Sequence, residues 1–188
     1  MPFENLLRFS NKSFRGFTLI ETLIVIFIIS LFSAAGVLGY TGYRQKANLR
    51  IAAQQVYSDI RDTQNLALAT VRHNGDIPSG GYGLRFTTVD SASYIIFADD
   101  DGNYEYDAPD EKIEKKDLPS GIEISEIKIS GIATSPVDIV FFPPKPTVYI
   151  NQNSASSPST ITLKIKGKSC PKECKNVIVN NVGVVETN

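Results

Sequence analysis

Hydrophobic positions follow three different patterns along the chain. From Thr22 to Tyr43 there is no charged residue, and Leu23–Phe32 is almost entirely aliphatic or Phe. As a helix this run reaches roughly 33 Å, against a bilayer core of ~30 Å. It predicts a membrane-spanning helix. Beyond Arg44 the pattern turns amphipathic. Leu49, Ala52, Ala53, Val56, Ile60, Thr63, Ala67 and Val71 recur mostly three or four apart, and Gln54, Gln55, Ser58, Arg61, Asp62, Gln64 and Asn65 fill the other face. Gly75 and Pro78 supply a stop, so one helix is predicted from Phe17 to about His73. The stripe is Ala-rich and lacks clean heptads, which predicts packing on a domain rather than a free coiled coil.

Past Gly75 the period falls from 3.6 to 2. Tyr82, Leu84 and Phe86 alternate with polar or small residues, and Tyr94–Ala98 is a short apolar run. Ile122 and Ile124 alternate in one phase, Ile127 and Ile129 in the other, which predicts a bulge between them. Val137–Phe142, Thr147–Ile150, Ile161/Leu163/Ile165 and Val177–Val179 bring the series to about seven or eight strands. Ser79-Gly80-Gly81, Pro119-Ser120-Gly121 and Asn181–Gly183 punctuate them, and Asn153–Ser159 reads as a mobile Ser-rich connector. The expected class is α+β: a long N-terminal transmembrane-to-periplasmic helix packed on an antiparallel β-sandwich head.

Composition sharpens this division. Of 10 prolines, none falls between Phe3 and Asp76, as a long unbroken helix requires. Charge is nearly balanced, 19 Lys+Arg against 20 Asp+Glu, which argues against a general polyanion binder. One His and two Cys exclude multi-His metal sites and four-Cys zinc sites. No phosphate loop, nucleophile elbow or metalloprotease motif is present.

Residues 1–16 carry Arg8, Lys12 and Arg15 against Glu4. Cations also flank the far end of the apolar run at Arg44, Lys46 and Arg50, so charge does not set orientation. The run is longer than a secretory signal's, although Ser33-Ala34-Ala35 offers a weak cleavage site. Glu21 stands at its head. A carboxylate at the bilayer centre costs ~2.5–3.5 kcal/mol on insertion scales. Taken alone, Glu21 either sits at the interface or has a charged partner.

The stretch Arg15-Gly16-Phe17-Thr18-Leu19-Ile20-Glu21-Thr22-Leu23 resembles the processing site of type IV pilins and type II secretion pseudopilins. The resemblance implies cleavage by prepilin peptidase between Gly16 and Phe17 and N-methylation of Phe17. Glu21 becomes the assembly carboxylate, pairing with the Phe17 amine of a neighbouring subunit. It also implies a cytoplasmic leader and a head outside the membrane. Ile51–Arg61, then Asn65-Leu66-Ala67 and a β-only head, loosely resemble minor pseudopilin H and its relative FimT. DNA-uptake members of that group carry a basic Gly-Arg-x-Arg motif near the C-terminus. The tail here reads Gly183-Val184-Val185-Glu186, so nucleic-acid capture through that site is not expected. The helix-breaking Pro usual in the family is missing, with Leu38 in that region. Gly36, Gly39 and Gly42 suit either close helix packing or a locally meltable segment.

Weaker signals remain. Asp99, Asp101, Asn103, Glu105 and Asp107 are dense in oxygen ligands, and Asp110 and Glu111 follow. The spacing is not an EF-hand, because Tyr104 stands where Gly is needed. A solvated acidic hairpin turn is the favoured reading and calcium the alternative. No other cofactor is expected. Cys170 and Cys174 suit a local structural bridge, with free thiols the alternative, and His73 a helix-terminal His complementing the dipole.

The organisation expected is a leader at 1–16, a transmembrane and assembly helix at 17–43, its amphipathic continuation at 44–75 and a head at 76–188. The function expected is non-enzymatic: a minor pseudopilin or pilin of a type II secretion pseudopilus or type IV pilus. It would sit in the bacterial inner membrane by a single pass, with its head in the periplasm or outside the cell. Its partners would be other pilin-like subunits, the prepilin peptidase and an inner-membrane assembly platform. A DNA-uptake or adhesive minor pilin is the alternative, and a signal-anchored periplasmic protein unrelated to fibres is the third reading.

Overall fold

The computed structural model describes residues 16–107, 111–144, 147–154, 158–180 and 183–188, without the side chains of 35–39 and 41. The leader up to Arg15, the side chains of Gly36, Leu38 and Gly39, Asp110, residues 155–157 of the Ser-rich connector, Asn181 and Val182 therefore lie outside the described residues. The chain divides into two compact units, Met1–Thr41 and Gly42–Asn188. Helix α1 (Leu19–Leu68) supplies residues to both.

In the first unit Thr18 caps α1. Its carbonyl accepts the Glu21 and Thr22 N–H groups at 3.1 and 3.2 Å, and its hydroxyl accepts Glu21 N–H at 3.3 Å. Thr-x-x-Glu is a capping-box sequence, so the helix begins after Thr18 and leaves Phe17 outside it. Thr22 and Ser30 return their hydroxyls to the carbonyls of Leu19 and Ile26 at 2.8 and 2.7 Å, which leaves those donors satisfied in an apolar run. Leu19, Ile20 and Leu23–Ile29 are exposed. Among the described residues no helix is long and apolar enough to cross a membrane. The apolar run of the sequence continues into 35–39, beyond the described side chains.

In the second unit α1 lays its predicted stripe on the head. Leu49, Ala52, Ala53, Val56, Ile60, Thr63 and Ala67 are all buried. The helix ends earlier than expected. Thr70 N–H reaches Ala67 O at 3.1 Å and Val71 N–H reaches Leu66 O at 3.3 Å, with Thr70 at φ 45°. This is a Schellman closure on a threonine, so Val71 falls beyond the stripe and is exposed. Gly75, at φ 99°, serves instead the small turn in which His73 and Asp76 bridge.

The head has two antiparallel sheets. One is ordered β3 (Lys112–Asp117), β2 (Ser93–Asp99), β1 (Gly81–Phe86), β6 (Val137–Phe142), β7 (Thr147–Ile150), β8 (Asn153–Ser154). The other is ordered β11 (Val185–Thr187), β10 (Cys174–Val179), β9 (Ser159–Ile165), β4 (Ile122–Ile129), β5 (Ile132–Ala133). Tyr82, Leu84, Phe86, Tyr94, Ile139 and Phe141 of the first join Ile122, Ile124, Ile127, Ile161, Leu163 and Val177 of the second in one core with α1. The predicted bulge is present, where the β4–β9 register shifts between Ile124 and Glu126. Among the described residues every buried hydrophobic side chain lies from Leu49 onward. Gly42–Asn188 thus carries its own complete core, the property of an independently folding domain.

Simple alternation fails on β2 and β6. Phe97 and Val140 stand outside that core cluster yet are fully buried, and the β2–β3 connection folds back over Phe97. Phe97 packs on Tyr106 with ring centroids 5.4 Å apart, and Tyr104 stacks on Tyr149 at 3.8 Å. A Cβ at Gly83 would lie 2.6 Å from Phe97 Cζ, so this strand position is kept for glycine.

Candidate functional site

Three places carry chemistry. The first is the start of α1. Phe17 is 79% exposed, and Glu21 is an exposed first-turn carboxylate that complements the helix dipole. A Cβ on Gly16 would meet nothing within 4 Å, and its φ lies outside the left-handed region. Nothing described in this chain requires glycine there.

The second is the acidic stretch, which joins the antiparallel pair β2–β3 as the expected hairpin does and leaves Asp100, Asp101 and Asp107 exposed, but is not solvated throughout. Asp99 is fully buried. Its Oδ1 accepts Gly102 N–H at 2.7 Å and its Oδ2 accepts Tyr104 N–H at 2.8 Å. A Cβ on Gly80 would sit 1.7 Å from Asp99 Oδ2, so the carboxylate occupies space left by a glycine. Burial pushes Asp99's pKa up. Carboxylate oxygens of Asp99, Asp101 and Glu111 all lie within 4.8 Å of one another, a set that hard-cation chemistry could use. Glu111 is buried, and that burial, with Asp107, Asp101 and Asp99 nearby, pushes its pKa up to about 7.

The predicted ligand set is therefore split. Asn103 donates to Asp101 at 3.1 Å and to Asp107 at 2.8 Å. Glu105 turns away to Arg85 and Gln152. Glu111, outside the expected ligand set, joins Asp99 and Asp101. A single acid between Asp110 and Lys112 gives no periodic signal of burial. His73 is not at the helix end. Its Nδ1 lies 3.1 Å from Asp100 Oδ2 and ties the post-helix turn to this loop. Beside it Arg85 donates to Asp138 through Nε at 2.8 Å and Nη2 at 2.7 Å. Asp138 is buried, and that burial raises its pKa against the pull of Arg85. Gln64, expected on the solvated face, is buried too and donates to Gly183 O at 3.4 Å.

The third is the β9–β10 connection. Cys170 and Cys174 are bridged, with Cα atoms 5.3 Å apart. Ile165 N–H reaches Glu173 O at 3.1 Å across this loop. The loop meets the first turns of α1 in this unit, where Lys46 Nζ lies 3.7 Å from Glu173 Oε1.

A prokaryotic N-terminal methylation motif matches residues 11–37, the segment that contains Gly16, Phe17 and Glu21. No curated protein and no solved structure matches the chain. The motif indicates a pilin or pseudopilin processed by prepilin peptidase and supports a type IV pilin-like protein.

Proposed function

We propose that the chain is a minor pseudopilin or minor pilin, a structural subunit of a type II secretion pseudopilus or a type IV pilus. The observation that carries this is the methylation motif at 11–37, which runs into a helix that begins at Leu19, just past Phe17. Hydrolysis of the Gly16–Phe17 amide frees the Phe17 amine, and methylation keeps its positive charge. Glu21, in the first turn of α1, is then placed to meet the amine of a neighbouring subunit. A carboxylate carried into the bilayer is tolerable when it is paired in this way.

Residues 17–43 hold the subunit in the bacterial inner membrane until it enters a fibre, and the head contacts other subunits outside. The role is packing, not catalysis. The test is expression with and without an active prepilin peptidase. A peptidase-dependent loss of the leader is expected, and an unchanged chain in both strains overturns the reading.

A further inference from the structure

We propose that the head carries a basic rim at its Gly42 end that docks on anionic phospholipid. The rim comes from two segments far apart in sequence. From α1 come Lys46 and Arg50, which at ~1.5 Å per residue lie roughly 6 and 12 Å along the helix from Gly42. From the β9–β10 connection come Lys166, Lys168 and Lys172, all exposed, with Lys175 beside them. Glu173 is the only acid in 42–50 and 166–175, and it is engaged by Lys46 at 3.7 Å.

The fold builds this juxtaposition deliberately. Asn48 Nδ2 donates to Ser120 O at 3.1 Å, and Lys166 N–H donates to Gly121 O at 2.9 Å. The Pro119–Gly121 turn therefore holds the helix and the Lys-rich loop to the same place. The Cys170–Cys174 bridge closes the loop between Lys168 and Lys175, which limits the shapes this lysine cluster can adopt. The remaining sheet lysines of this region are already neutralised: Lys128 by Glu126 at 2.7 Å and Lys164 by Glu123 at 3.2 Å.

Charge complementarity and position select the occupant. The rim is positive on a chain whose formal charge is −1, and it lies where the uncharged run of the sequence ends. Cations within about a Debye length of an anionic bilayer are attracted to it, by roughly fivefold in partitioning for each Lys or Arg. Docking would hold the head close to the bilayer before the subunit is withdrawn into a fibre. The inference rests on the reading that residues 17–43 lie in the membrane.

The test has two arms. The mature full chain is reconstituted in vesicles of phosphatidylcholine, or of phosphatidylcholine with one-third phosphatidylglycerol, and its lysines are acylated. Lys166, Lys168 and Lys172 should react several-fold more slowly in the anionic vesicles at low salt and recover at high salt. Lys112 on β3 should not change. Equal rates in both lipids overturn the proposal. In the second arm the isolated 42–188 unit is sedimented with the same vesicles. It should follow phosphatidylglycerol and ignore phosphatidylcholine, and K166Q/K168Q/K172Q should lower partitioning about a hundredfold. Binding to duplex DNA without binding to the anionic vesicles assigns the rim to nucleic acid and overturns the proposal. A head that ignores anionic vesicles in a correctly processed chain removes the rim and leaves the anchor reading intact. A chain still starting at Met1 overturns the processing reading and leaves the rim to be decided by the vesicle arms.

Discussion

Glu111→Gln should stabilise the head at neutral and alkaline pH. Glu111 is 3% exposed, and burial, with neighbouring carboxylates, raises its pKa from 4.5 to about 7. Folding therefore favours its protonated form. The unfolded chain releases that proton above pH ~4.5, whereas the folded chain holds it until about 7. Ionised Glu111 thus costs stability that is fully lost above pH 7 and recovered as pH falls through this window. The difference is worth up to about 3 kcal/mol at 1.36 kcal/mol per unit. Glutamine keeps the shape and its carbonyl can still accept Asp107 N–H, now 3.4 Å from Glu111 Oε2, but it never ionises. Urea unfolding of 42–188, with EDTA to strip divalent cations, reads the effect. The variant should be more stable by up to about 3 kcal/mol at pH 8, with the gap closing near pH 4.5. Asp99, whose pKa is also raised by burial, leaves part of the pH slope in the variant. An equal difference at pH 5 and pH 8, or a variant weaker at pH 8, refutes the reasoning.

Arg85→Ala leaves buried Asp138 without its bidentate partner and should cost about 3–5 kcal/mol, read as a lower urea midpoint. R85M/D138L, which removes both charges, should recover most of it. Gly83→Ala drives a methyl to 2.6 Å from Phe97 Cζ and 2.9 Å from Val140 Cγ2. It should cost about 1–3 kcal/mol, and loosening of the connection above Phe97 should show as faster amide exchange around Tyr104 and Tyr106. Glu21→Val should leave removal of the leader unchanged while abolishing incorporation into fibres, checked by comparing cell extract with sheared filaments.

Much of the architecture is legible in the sequence because burial there follows a period. The α1 stripe, the alternating strands and the β4 bulge each leave their pattern in residue order. The helix end did not. A Schellman closure needs one residue with positive φ, and here Thr70 provides it, although Gly75 is the better signal on intrinsic preference. Gln64 looked solvated by type, but the carbonyl that receives it lies at Gly183, on the far side of the chain in sequence. The acidic stretch misled in the same way. Asp99 is read as turn chemistry until the gap left by Gly80 is seen. Glu111 becomes a partner only when β3 pairs with β2. The basic rim was invisible because its cations are divided between 46–50 and 166–175, and no local window contains both.

The central claim is that Gly16–Phe17 is a processing site. Intact-mass spectrometry of the protein, purified from cells with active prepilin peptidase, tests it directly. The account predicts a chain that begins at Phe17 and carries one added methyl group on its amine. A chain still beginning at Met1, or cut instead after Ala35, contradicts it.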